Sequence, residues 1–120
     1  MIRAVFYLGA SNPPPTTTQE PAVSEPPDFV GFLIGGHAGC GKSGRDILCA
    51  GVSSAVMLTI NTLRENLALK TKFKATNRLI GLKLLNTDYN GSRVIEALLE
   101  HLVALDGGSN KIITVIKRTL

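Results

Sequence analysis

Phe29-Val30-Gly31-Phe32-Leu33-Ile34-Gly35 runs into Gly36-His37-Ala38-Gly39-Cys40-Gly41-Lys42-Ser43-Gly44, and then into Arg45-Asp46-Ile47-Leu48-Cys49. The first run is apolar and rich in aromatic and β-branched residues, which predicts a strand over 29–35. The second carries five glycines between Gly35 and Gly44, which predicts a turn-forming, adaptable loop. In the third, Asp46 reads as the N-cap of a helix running from Ile47 to about Leu67. Leu48, Val52, Ala55, Val56, Ile60, Leu63 and Leu67 recur close to helical spacing.

The other elements follow outward from this unit. Ile2, Val5, Phe6 and Leu8 predict a strand over 2–8. Residues 11–28 hold all six prolines with Ser, Thr and Glu, a composition that builds neither helix nor sheet and predicts a long flexible loop. Leu79, Ile80, Leu82 and Leu84 predict a strand over 78–85. Asn86 to Gly91 reads as a turn, with Asn90-Gly91 its strongest signal. Ser92 then caps a second helix, whose buried stripe is Val94, Ile95, Leu98, Leu99, Leu102 and Leu105. Gly107 and Gly108 end it. A last strand is expected over 111–117. The order β-β-α-β-α-β predicts a single α+β domain over 1–120: a small two-layer sandwich with a mostly antiparallel four-stranded sheet and two helices.

A chain of 120 residues supports one core and little more. No apolar run reaches the roughly 18 residues of a membrane span, and the short apolar start reads as a strand rather than a signal peptide. The expected location is the cytoplasm, with no membrane partner. Net charge is +4 and the isoelectric point about 9.3, suited to work near an anionic surface such as a ribosome. Lys70, Lys72, Lys74 and Arg78 form the densest basic cluster. It reads as a solvated loop, or as a site of attraction for RNA or an acidic partner. Cys40 and Cys49 do not read as a disulfide framework in a cytosolic chain. With His37 and His101 as the only histidines, no metal site is expected, nor any cofactor.

The stretch Gly36-His37-Ala38-Gly39-Cys40-Gly41-Lys42-Ser43 fits the phosphate-binding P-loop pattern letter for letter. The match fails in context. The helix is expected to begin after Gly44, not at Lys42-Ser43, and the element order lacks the repeated βαβ units of a P-loop sheet. Nucleotide binding through Lys42 and Ser43 is therefore the weaker reading.

Cys49 falls near the N-terminus of the first helix. The partial positive charge there favours a thiolate and lowers a thiol pKa, which suits a nucleophile for acyl transfer. His37 lies twelve residues earlier in the chain, and the glycines allow it to fold back toward Cys49. First-turn N–H groups could form part of an oxyanion hole. Each residue also has a plainer reading: Cys49 as a small buried apolar side chain, His37 as a hydrogen-bonded strand end. Cys40 competes as a nucleophile but lacks the helix-end field. His101, on the second helix, reads as structural.

Taken together, Gly36-His37-Ala38, the glycine loop to Gly44, Asp46-Ile47-Leu48-Cys49-Ala50 and Ser53 resemble the signature of the ribosomal-processing cysteine proteases, the Prp family. The specific part of the resemblance covers residues 29–67, about a third of the chain. It implies a homodimeric α+β cysteine protease with a Cys–His dyad. It further implies a substrate, the N-terminal extension of large-subunit ribosomal protein twenty-seven. By the same resemblance Cys49 is the nucleophile and His37 the general base, while Asp46, Ser53, Gly36 and Gly44 match positions near the site. Two departures stand out: Cys40 replaces a residue that is usually aromatic, and the 11–28 insertion exceeds the family's short hairpin. A non-catalytic ribosome-associated protein is the alternative function, with the cluster 70–78 as its contact.

Overall fold

The structure, a computed structural model, describes residues 2–9, 28–36, 45–76, 78–107 and 112–120, with the backbone alone for 45–47. Five strands and two helices follow the order β1 (Ile2–Leu8), β2 (Phe29–Gly35), α1 (Arg45–Asn61), β3 (Thr71–Ala75), β4 (Leu79–Leu84), α2 (Tyr89–Leu105), β5 (Ile113–Thr119). A single π-helical turn, Thr62–Asn66, extends α1. The expected Pro-rich loop at 11–28 lies outside the described residues except at its end, where the Gly9 N–H donates to the Asp28 carbonyl across 2.8 Å.

The α+β class holds, but the sheet has five strands rather than four, in the order β3-β4-β2-β1-β5. The added strand is β3, in the segment expected to be a basic loop. Its residues are nearly all exposed, because it is an edge strand with only β4 beside it. Lysines on a strand edge are a common guard against edge-to-edge pairing, and they hide the apolar alternation that marks inner strands. The sheet is mixed: β1 runs antiparallel to β2 but parallel to β5, with Ile2 opposite Ile113 and Ala4 opposite Val115.

Strand alternation divides the sheet into two faces. Ile2, Ala4, Phe6, Phe32, Ile34, Leu82, Leu84 and Ile113 project to the helix side and join Val52, Val56, Ile60, Leu63, Ile95 and Leu102 in one core. Phe6 anchors it, with Phe29 packed edge-on at 6.4 Å between ring centroids and Phe32 at 6.3 Å. Burying each such ring is worth roughly 1.5–3 kcal/mol. Neither helix covers the other face, which carries Val5, Tyr7 and Leu33 outside that core.

The start of α2 differs from expectation. Asp88, not Ser92, is the N-cap, accepting from the Gly91 N–H at 2.8 Å. Asn90 and Gly91 belong to the helix rather than to a turn. Gly91 is needed for close packing: a Cβ there would lie 2.8 Å from Leu69 Cδ1 and 3.0 Å from Leu84 Cδ1. Ser92 is buried and its Oγ accepts from the Phe29 N–H. At the other end Gly107 has φ 64°, the left-handed terminator expected of it. His101 is exposed on α2, so it does not sit in the core.

Candidate functional site

β2 delivers the chain to the site. Its last residue, Gly35, pairs with Arg3 on one side and Leu79 on the other, and a Cβ on Gly35 would lie 2.7 Å from Leu79 Cδ2. Gly36 follows with φ 91°, a backbone angle that disfavours any side chain. This turn redirects the chain as it leaves the sheet. His37, Cys40, Lys42, Ser43 and Gly44 lie outside the described residues.

The chain returns at Arg45, the first residue of α1, two positions before the expected start. Asp46 is therefore the second residue of the helix and not its cap. Cys49 is the fifth, just beyond the four N–H groups that a helix leaves without internal partners. Helical Cα–Cβ bonds tilt toward the N-terminus, so the Cys49 side chain leans back over that turn. It is half-buried and packs against the core. The sulfur is disulfide-bonded, against the sequence expectation of no disulfide, and its partner lies outside the described residues. Ser53, one turn further, is exposed.

The P-loop reading loses its scaffold. β2, the strand that precedes 36–43, is antiparallel to both its neighbours, β1 and β4. A P-loop strand sits in a parallel sheet.

A groove not foreseen in the sequence opens at Gly36 and runs onto the sheet face that neither helix covers. Its volume is about 400 Å³, and Arg3, Val5, Tyr7, Leu33, Leu79 and Arg118 line it. These residues come from four different strands, and only their pairing brings them together. Among the described residues no cluster of three or more metal-ligating side chains occurs. None of the described helices is long and apolar enough to cross a membrane.

A family model described as cysteine protease Prp matches residues 23–114, more than three quarters of the chain. No curated protein matches significantly. The fold resembles the crystal structure of SMU.848 from Streptococcus mutans, with TM-score 0.76 and 23% identity over 100% of this chain and 96% of that one. It also resembles a crystal structure of an essential ribosomal processing protease from S. aureus in complex with a substrate peptide. There the TM-score is 0.75 and the identity 16%, over 98% of this chain and 100% of that one. A second structure of the S. aureus protease holds a covalently linked product peptide, with TM-score 0.73 at 16% identity over the same shares of the two chains.

Proposed function

The chain belongs to the cysteine protease Prp family, and from that premise we propose that it removes a short N-terminal extension from large-subunit ribosomal protein twenty-seven, with Cys49 as nucleophile and His37 as general base. The observation that carries this reading is the place of Cys49. It stands at the opening of α1, on the helix that follows the β2–Gly36 turn, in a fold shared with a protease captured with substrate and product peptides.

The chemistry needs a reduced sulfur. Two equivalents of a thiol convert the Cys49 disulfide to free thiols, His37 takes the proton of the one on Cys49, and the helix end favours the anion that remains. The thiolate attacks the scissile carbonyl, and N–H groups at the helix start stabilise the oxyanion. His37 gives its proton to the leaving amine as the C–N bond breaks, which leaves a thioester on Cys49. His37 then takes a proton from water as water attacks the thioester, releasing the new carboxylate and restoring the sulfur. In this reading Gly36 and Gly44 give the connecting loop its reach, and Asp46 and Ser53 flank the nucleophile. The enzyme acts in the cytoplasm as a homodimer.

The test is incubation of the reduced protein with the host's own ribosomal protein twenty-seven, with products read by mass spectrometry. Loss of a short N-terminal segment supports the proposal. An uncut substrate under reducing conditions, with the protein folded, overturns the assigned substrate.

A further inference from the structure

The sheet face that neither helix covers is, among the described residues, a basic surface with an ordered layout. Alternation and register put three rows of residues across it. One row runs Lys72, Lys83, Gly31, Tyr7, Arg118 from β3 to β5. The next runs Lys74, Gly81, Leu33, Val5, Ile116, and the third runs Leu79, Gly35, Arg3, Thr114. Strands lie about 4.8 Å apart, so the first row spans roughly 19 Å. Five cations project from this face, and none of the residues in the three rows is Asp or Glu. Lys72, Lys74, Lys83, Arg3 and Arg118 are all exposed.

Lys72 and Lys83 are direct cross-strand partners. Like charges placed opposite one another destabilise an antiparallel pair by a fraction of a kcal/mol, and no carboxylate in the rows offsets the cost. A bound anion would. Between the cations the floor is open, because Gly31, Gly35 and Gly81 carry no side chains there. A groove of about 360 Å³ lies over it, bordered by Lys72, Lys74 and Lys83 and by the apolar or aromatic Tyr7, Leu33 and Leu120. Tyr7, half-buried at the centre of the charged row, gives a flat ring between cations. Phe73, the aromatic within the basic cluster, also borders the groove, but its ring is not offered to a base there. It turns to the helix side, where the Arg64 guanidinium lies 5.3 Å from its ring centroid.

We propose that this sheet face binds RNA, with Lys72, Lys83 and Arg118 on phosphates and Tyr7 as a stacking platform for a base. Single-stranded RNA is commonly read in this way, by an aromatic on an open sheet with cations around it. A second copy of the chain is the poorer occupant, since stacking two such faces sets five cations against five. Tyr7 and Arg118 also line the groove that opens at Gly36, whereas Lys72 and Lys83 lie level with Gly31, at the other end of β2, so the test is read on Lys72 and uses RNA binding, not proteolysis.

The test uses the full reduced chain and a fluorescent 20-nucleotide mixed-sequence RNA, followed by anisotropy. With three phosphate contacts the affinity falls roughly twentyfold between 50 and 200 mM salt, a log–log slope near −2. Lys72→Glu weakens binding at least about fivefold yet leaves the melting temperature equal or higher, since it turns a like-charged pair into an opposite one. Arg93→Glu, on α2, makes the same change in net charge and leaves affinity unchanged. The proposal is overturned by equal weakening in Lys72→Glu and Arg93→Glu, or by no binding at low salt. It is equally overturned if Lys72→Glu converts a dimer to a monomer while RNA fails to compete for the face.

Discussion

The Ser92 Oγ accepts a hydrogen bond from the Phe29 N–H across 2.8 Å, sixty-three residues apart in sequence. It ties the first turn of α2 to the first residue of β2, the strand that ends at Gly35, just before the Gly36 turn. Ser92 is 4% exposed, so the bond is shielded from water. It also sits beside a register shift, where Tyr7 pairs with Gly31 but Leu8 pairs with Phe29.

Ser92→Ala leaves the Phe29 N–H buried without this acceptor, at a cost of about 1–3 kcal/mol. Chemical denaturation of the two proteins checks it, and a loss below a few tenths of a kcal/mol counts against the bond. Proteolytic activity per folded molecule is expected to be nearly unchanged, because the bond lies at the opposite end of β2 from the site.

Gly36→Ala tests the turn into the site. At φ 91° an alanine carries about 1–2 kcal/mol of strain, and its relief would shift the neighbouring His37. The expected outcome is a kcat reduced at least about tenfold with a modest fall in melting temperature. Unchanged kcat would mean that Gly36 does not set the position of the base.

Ala68 offers the converse experiment. It follows the π-helical turn with φ 51°, the left-handed region that costs a non-glycine residue about 1–2 kcal/mol. Ala68→Gly removes that cost but loosens the unfolded chain by about 0.4–1 kcal/mol. A net gain of up to about 1.5 kcal/mol is expected on thermal unfolding, and a clear loss would argue against this backbone angle.

Because Cys49 is disulfide-bonded, cleavage is expected to depend on reductant. The purified, oxidised protein is expected to be inactive and to resist alkylation at Cys49, and dithiothreitol should restore both. Full activity without reductant would show that the bonded form does not persist in solution.

Much of this architecture is legible in the sequence, and the exceptions have physical causes. β1 and β2 keep their expected bounds because they are inner strands with apolar residues on the core face. β3 is missed because Thr71-Lys72-Phe73-Lys74-Ala75 is an edge strand whose lysines resemble a solvated loop. Asn90-Gly91 looks like a turn, but Asp88 starts the helix ahead of it and Gly91 is small for the sake of Leu69 and Leu84. The parallel pairing of β1 with β5 depends on which strands meet, and no local pattern encodes that. On the site side, Cys49 and Gly36 can be found from local signals, a helix start and a glycine-rich turn. The groove of Arg3, Leu79 and Arg118 cannot, since its members are adjacent only across strands.

The central claim is that Cys49 attacks the peptide bond. The most direct measurement is intact-protein mass spectrometry of the reduced enzyme, acid-quenched during turnover of a peptide spanning the ribosomal cleavage site. The expected outcome is a thioester adduct that adds the mass of the N-terminal fragment less one water, mapped to Cys49, with neither adduct nor cleavage in Cys49→Ala. Cleavage by a folded Cys49→Ala variant at the wild-type rate would contradict it.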